Sequence, residues 1–125
     1  MIALDASALL AYLFKEIGHE QVVQYINDCC LSTVNLSEVI GRFARDGHDP
    51  QHVFKRLSAT NIEFVPFTAT QATLAASILP QTKLLGLSLA DRACLSLGLV
   101  RNIPVVTADQ AWQQTSFGLQ IVVIR

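Results

Sequence analysis

The chain of 125 residues is short of charge, of aromatic rings and of histidine: 15% of it is Asp, Glu, Lys or Arg, 7% is Phe, Trp or Tyr, and there are three His. An ordinary domain carries about 25% charged residues. With 51% hydrophobic residues, this chain is expected to leave apolar surface uncovered, which predicts an interface in a homodimer, with a second protein, or both. Three cysteines, Cys29 beside Cys30 and Cys94 alone, exclude a disulfide framework and a C-x-x-C pair. They read as small core residues in a reducing, cytoplasmic setting. Without a Cys-His constellation there is no zinc site. His48 and His52 are four apart, but Pro50 puts His48 ahead of the helix that holds His52, and His19 reads as exposed. Neither G-x-x-x-x-G-K-[ST] nor G-x-G-x-x-G occurs, so no nucleotide loop is expected. Ser7 and Ser37 lack a base partner, which argues against a serine hydrolase. The longest apolar region, 84 to 100, contains Asp91 and Arg92 and predicts no membrane span. The apolar start lacks a basic n-region and contains Asp5, so no signal peptide is expected. The length suits one domain, residues 1–125.

What is present is an alternation of short β-like runs with helical ones. The pattern predicts a strand over 1–5, helices over 7–14 and 19–28, a strand over 31–34 and a helix over 36–46. Beyond Gly47, Asp49-Pro50 reads as N-cap and first helical position of a helix reaching about 59. A strand over 62–67, a helix over 69–79 stopped near Pro80, and a buried helix over 89–99 follow. The chain closes with strands at 105–107 and 120–124 and a short helix from 110 between them. Strands alternating with helices predict a parallel sheet covered on both faces.

Against this apolar background four acids are out of place. Asp5, Glu38, Asp91 and Asp109 each interrupt or end an apolar stretch. Burying one unpaired carboxylate is costly, and gathering several demands a compensating cation. A hard divalent ion, Mg²⁺ or Mn²⁺, suits oxygen ligands. Parallel sheets bind ligands beyond the carboxyl ends of their strands. Asp5 and Asp109 fall at strand ends, Glu38 and Asp91 at helix starts, so one rim can collect all four. Setting these four acids aside leaves nine Lys and Arg against six acids, a balance of +3 that permits a phosphate-backbone ligand.

Each acid also has a capping explanation. Asn35-Leu36-Ser37-Glu38 and Ser88-Leu89-Ala90-Asp91 both resemble capping boxes, Asp109 suits an N-cap, and Asp5 suits the cap of the first helix. The set is harder to explain so, because Ser7, Ser88 and Thr107 place hydroxyls two or three residues from three of the acids. Arg42 and Arg45 share a helical face with Glu38 and read either as a Glu38 to Arg42 surface pair or as a cationic lip for phosphates. Arg92 and Lys83 are weaker candidates for the same phosphate-facing role. Trp112 and the phenylalanines at 14, 43, 54, 64, 67 and 117 read as core or interface residues.

Four segments then carry a resemblance: Leu4-Asp5-Ala6-Ser7-Ala8-Leu9-Leu10-Ala11, Val34-Asn35-Leu36-Ser37-Glu38-Val39, Gly86-Leu87-Ser88-Leu89-Ala90-Asp91-Arg92-Ala93-Cys94-Leu95, and Pro104-Val105-Val106-Thr107-Ala108-Asp109. In order and spacing the chain resembles the PIN-domain ribonucleases, specifically the VapC-type toxins of toxin-antitoxin pairs. The resemblance implies a three-layer α/β/α sandwich around a parallel sheet of about five strands, ordered 3-2-1-4-5. It implies a Mg²⁺- or Mn²⁺-dependent endoribonuclease with Asp5, Glu38, Asp91 and Asp109 as catalytic and metal-binding acids. Asp5 and Asp91 are expected as direct ligands, Glu38 and Asp109 as ligands, as water-holders or as supports behind the ligands, with Ser7 and Thr107 orienting carboxylates or waters. It also implies a VapB-like antitoxin whose peptide crosses an apolar groove and covers the site. A haloacid dehalogenase phosphatase fits less well, because Ala6-Ser7 follows Asp5 where a second acid is needed. A receiver domain lacks its paired acids here. The rival from another class is a non-catalytic, partner-binding module of the same fold.

Overall fold

A computed structural model of the protein describes residues 1–115 and 117–125. Five short strands, β1 (Ile2–Leu4), β2 (Cys29–Ser32), β3 (Glu63–Val65), β4 (Val105–Thr107) and β5 (Ile121–Val123), form one sheet in the order β3-β2-β1-β4-β5. Every pairing is parallel, with Ile2 opposite Cys29 and Leu4 opposite Val106 on the two sides of the central strand. This is the order expected from the resemblance.

Alternation along the strands divides the interior into two cores. Ile2, Leu4, Cys29, Leu31 and Val106 face a first core shared with α1 (Ala6–Phe14), α2 (His19–Val22), α3 (Thr33–Arg45) and α4 (Pro50–Ser58). Ala3, Cys30, Val65 and Val105 face a second, packed with Ile78, with α7 (Leu89–Arg101) and with Trp112 from the 3-10 turn Gln110–Gln114. The layers are therefore α/β/α. All three cysteines are free and buried among these apolar side chains, as small core residues should be. Trp112 is fully enclosed and Phe117 packs against the second core, whereas Phe14 and Phe54 remain exposed. His48 lies edge-on to Phe43 rather than beside His52. No helix among the described residues is long and apolar enough to cross a membrane.

Local chemistry sets the element ends. Asp49 accepts from the Gln51 amide with Pro50 as the first helical residue, as the sequence predicts for α4. Lys15 and Asn102 take left-handed conformations that terminate α1 and α7.

Three expectations change. The helix predicted over 19–28 stops at Val22, and residues to Asp28 turn through tighter bonds such as Tyr25 N–H to Val22 O and Asp28 N–H to Tyr25 O. That brings β2 forward to Cys29, and Ser32, accepting from the Val34 amide, opens α3 at Thr33 instead of 36. Pro80 does not end a helix: α5 (Ala69–Ser77) is already closed, and Pro80 sits in the first turn of α6 (Leu79–Thr82), where its missing N–H costs nothing. The 3-10 turn Lys83–Leu85 then leads to α7.

Gly98 is where α7 meets the sheet. A Cβ there would lie 2.6 Å from Val105 Cγ1 and 3.2 Å from the Ile103 carbonyl oxygen, and Val105 is a buried, β-branched residue with little room to yield. Gly41, in the middle of α3, has open space at the same position. Urea unfolding is expected to show Gly98→Ala destabilised by about 1–3 kcal/mol through overpacking, and Gly41→Ala stabilised by roughly 0.5–1 kcal/mol through lost chain entropy.

Candidate carboxylate site

Asp5 follows the last residue of β1, the middle strand, and its amide bonds to the Val106 carbonyl of β4 at 2.9 Å. The residue is only 4% exposed. It occupies the N-cap position of α1, yet its side chain makes no capping bond. Instead Ser7 Oγ donates to Asp5 Oδ2 at 2.6 Å and Thr107 Oγ1 donates to the same oxygen at 2.9 Å. Among the described residues no hydrogen bond reaches Oδ1 and no cationic side chain pairs with the carboxylate. Ser7 also accepts from the Ala108 amide, and Thr107 from the Asp109 amide, so the hydroxyls stitch the ends of β1 and β4 together.

Glu38 and Asp91 share an open cleft of about 460 Å³ with Asp5, Ser7, Leu10, Gly41, Arg42 and Arg45. The early start of α3 moves Glu38 into its second turn, which removes the capping-box reading of that residue. Its carboxylate accepts from the side-chain amide of Asn35 at 3.0 Å. Asp91 does close a capping box with Ser88, accepting from the Ser88 amide at 2.8 Å while the Ser88 hydroxyl accepts from the Asp91 amide at 3.1 Å. The box fixes the carboxylate at the start of α7, on the same rim as Asp5. Asp109 caps the 3-10 turn by accepting from Ala111 N–H at 3.0 Å. It is exposed and does not line the cleft, though its charge reaches Asp91.

The electrostatics follow from this grouping. Burial, reinforced by the charges of Asp91 and Glu38 and opposed by the two hydroxyls, pushes the Asp5 carboxyl up to about 7. Burial also raises Glu38, with Asp91 adding and the Asn35 bond opposing. Asp91 is raised by burial too, against the bonds from Ser88. Three carboxylates thus repel one another, and among the described residues none of them forms an ion pair with Arg42 or Arg45, the cations that line the cleft. Among the described residues no three acids, histidines or cysteines are gathered tightly enough to enclose an ion. The donor set nonetheless fits a hard, water-retaining cation such as Mg²⁺, which needs only one or two carboxylates and keeps its remaining waters.

The arginines divide. Arg42 and Arg45 line the cleft, and the Glu38 to Arg42 pair does not form: Arg42 Nε lies 3.6 Å from Asp46 Oδ2, with its guanidinium 4.8 Å above the Phe14 ring. Arg92 turns away to donate to the Ala75 carbonyl at 3.0 Å, and Lys83 stands exposed outside the cleft. Asn35 escapes a reading of the sequence that looks for charge. A clue was available in that a polar residue stands between Val34 and Leu36 in the same apolar run as Glu38.

The family model of the PIN domain matches residues 2–118. No curated protein matches the chain by sequence. Among solved structures, the chain is similar to a toxin-antitoxin complex from Klebsiella pneumoniae, with 15% identity, a TM-score of 0.78, and 100% of this chain and 98% of that chain covered. It is also similar to FitAcB from Neisseria gonorrhoeae at 19% identity, with a TM-score of 0.71 and 98% and 96% covered. VapBC2 from Rickettsia felis, bound to a promoter DNA fragment, gives 15% identity, a TM-score of 0.72, and 97% of each chain covered. At such low identity these structures speak for the fold, and it is the family match across nearly the whole length, over the same β1 to β4 rim that carries the acids, that makes this chain a member of the PIN domain family.

Proposed function

We propose that the protein is a metal-dependent endoribonuclease and the toxin of a VapBC-like toxin-antitoxin pair. The observation that carries this reading is a buried carboxylate, Asp5, held by two hydroxyl donors and sharing one cleft with Glu38 and Asp91 while, among the described residues, no cationic side chain pairs with it. A purely structural acid at 4% exposure is normally paired. PIN domains are generally nucleases, and the structures it resembles include toxin-antitoxin complexes.

Asp5 and Asp91 are the residues to hold Mg²⁺ or Mn²⁺, with Glu38 in the same cleft orienting water and Asp109, outside the cleft, acting on Asp91 through its charge. When bound, such an ion supplies the missing positive charge and the Lewis acidity that polarises a phosphate and an attacking water. The chain's own contribution is placement. Ser7 and Thr107 keep Asp5 Oδ2 occupied and leave Oδ1 without a hydrogen bond among the described residues. Arg42 and Arg45 present positive charge at its mouth, where the flanking phosphates of an RNA strand have to pass. Which RNA is cut is a property of the cleft's wider surroundings.

An antitoxin partner and a homodimer both fit the apolar residues left in solvent, among them Ile17, Leu84, Leu89 and Val100. The second reading, a partner-binding module without catalysis, draws on the capping bonds that satisfy Asp91 and Asp109 and on the absence of a tight donor trio among the described residues. The two readings differ in how stability responds to metal.

The Asp5 carboxyl sits near 7 in the fold against an ordinary 3.8, so protonation favours the folded state. Without metal, this contribution to stability is fully present below about pH 4 and disappears as pH rises through about 7. In EDTA the wild type is expected to lose more stability across that window than Asp5→Asn, which retains the raised carboxyls of Glu38 and Asp91. At pH 8 the variant should be the more stable by up to a few kcal/mol. Adding Mn²⁺ should stabilise the wild type increasingly with pH and leave Asp5→Asn unmoved; a wild type indifferent to metal favours the binding module.

Cleavage of end-labelled transfer and ribosomal RNA by purified protein tests the activity directly. Discrete cuts are expected with Mg²⁺ or Mn²⁺, lost in EDTA and reduced by a factor of roughly 100 or more in Asp5→Asn or Asp91→Asn. Wild-type rates in either folded variant exclude these assignments.

A further inference from the structure

We infer that Asn35 is a positioning residue for the carboxylate cleft: its side-chain amide ties Glu38 to the first turn of α7, so that Glu38 and Asp91 keep one relation to each other. The inference rests on the proposed metal site for its meaning and on separate geometry for its support.

Asn35 is completely buried, at 0% exposure, although it lies on the helix that carries the exposed Glu38. Its Nδ2 donates to Glu38 Oε1 at 3.0 Å and to the Ala90 carbonyl, immediately before Asp91, at 3.1 Å. Both partners are acceptors, so the amide has only one satisfactory orientation, with nitrogen toward them. Its own Oδ1 is buried and makes no hydrogen bond among the described residues. For stability alone this is a poor arrangement, because an apolar side chain of similar size leaves no buried acceptor unpaired. Neither partner needs Asn35 for its own sake. Glu38 reaches solvent, and the Ala90 carbonyl lies in the first turn of α7, where the helix supplies its own donors. What the residue adds is a cross-link between α3 and α7, two elements that are 55 positions apart in the chain at these contacts. Each brings one acid to the cleft. A carboxylate on an exposed helix surface otherwise samples several rotamers, and holding it removes that freedom before any ligand arrives.

The test is a cycle of Asn35→Leu, Glu38→Ala and the double variant, with Mn²⁺ affinity measured by calorimetric titration and stability by urea unfolding in EDTA. Asn35→Leu is expected to keep the urea midpoint of the wild type or exceed it, while weakening Mn²⁺ binding by roughly tenfold or more. In the Glu38→Ala background the same substitution should change Mn²⁺ affinity by less than about twofold. Equal weakening in both backgrounds, or no weakening in either, overturns the inference. Should Asn35→Leu fail to fold, Asn35→Ala takes its place in the same cycle. A wild type that binds no Mn²⁺ defeats the metal reading instead. The urea cycle then decides Asn35 on its own: non-additive effects of the two substitutions uphold its hold on Glu38, and additive effects overturn it.

Discussion

Asp5 stands at the end of the central strand with two hydroxyls on one carboxylate oxygen and, among the described residues, no cation beside it. The ends of β1 and β4 and the start of α1 are joined around that carboxylate. The amide of Asp5 bonds across to β4, Thr107 reaches back from β4 to its side chain, and Ser7 closes the gap from the first turn of α1. A buried carboxylate without a partner is destabilising, so the fold surrounds this one with rigid donors rather than leaving it to relax toward solvent. Rigidity and electrostatic tension are then properties of the same few atoms.

The tension extends outward because the neighbours are also acids. Parallel pairing gathers the carboxyl ends of the strands on one side, and the helices that return to that side carry Glu38 and Asp91. α7 reaches it only by passing close over the sheet, which is why Gly98 faces Val105 with no room for a side chain. Packing and site are coupled in this way: the close approach that buries Cys94, Leu95 and Leu97 in the second core also brings the first turn of α7 beside α3.

Much of this was legible in the residues. The strand and helix order, the sheet order implied by the resemblance, Asp49-Pro50 as the opening of α4 and the Ser88 to Asp91 capping box all appear as expected. They rest on local signals, periodicity and capping, that act over a few residues. The stretch from Val23 to Asp28, which is not the helix its pattern predicts, has a weaker local signal, and its conformation is decided by β2 having to start at Cys29 in order to lie opposite Ile2. That shift of register carried Ser32 to the helix cap and Glu38 out of a capping position, so a tertiary constraint changed the meaning of a residue that the local pattern explained differently.

The amino-acid sequence by itself determined that this chain forms an α/β sheet, which four acids are anomalous in it, and that two hydroxyls accompany Asp5 and Asp109. These follow from hydrophobic alternation and from the poor fit of charge with apolar runs, which need no knowledge of distant contacts. Only the tertiary structure decided that Asp5, Glu38 and Asp91 line one cleft while Asp109 stands outside it, that Arg42 and Arg45 face this cleft while Arg92 is tied to Ala75, and that Asn35 joins the two helices. Side-chain direction at a helix junction depends on how helices far apart in sequence cross over the sheet, and no local pattern encodes that crossing.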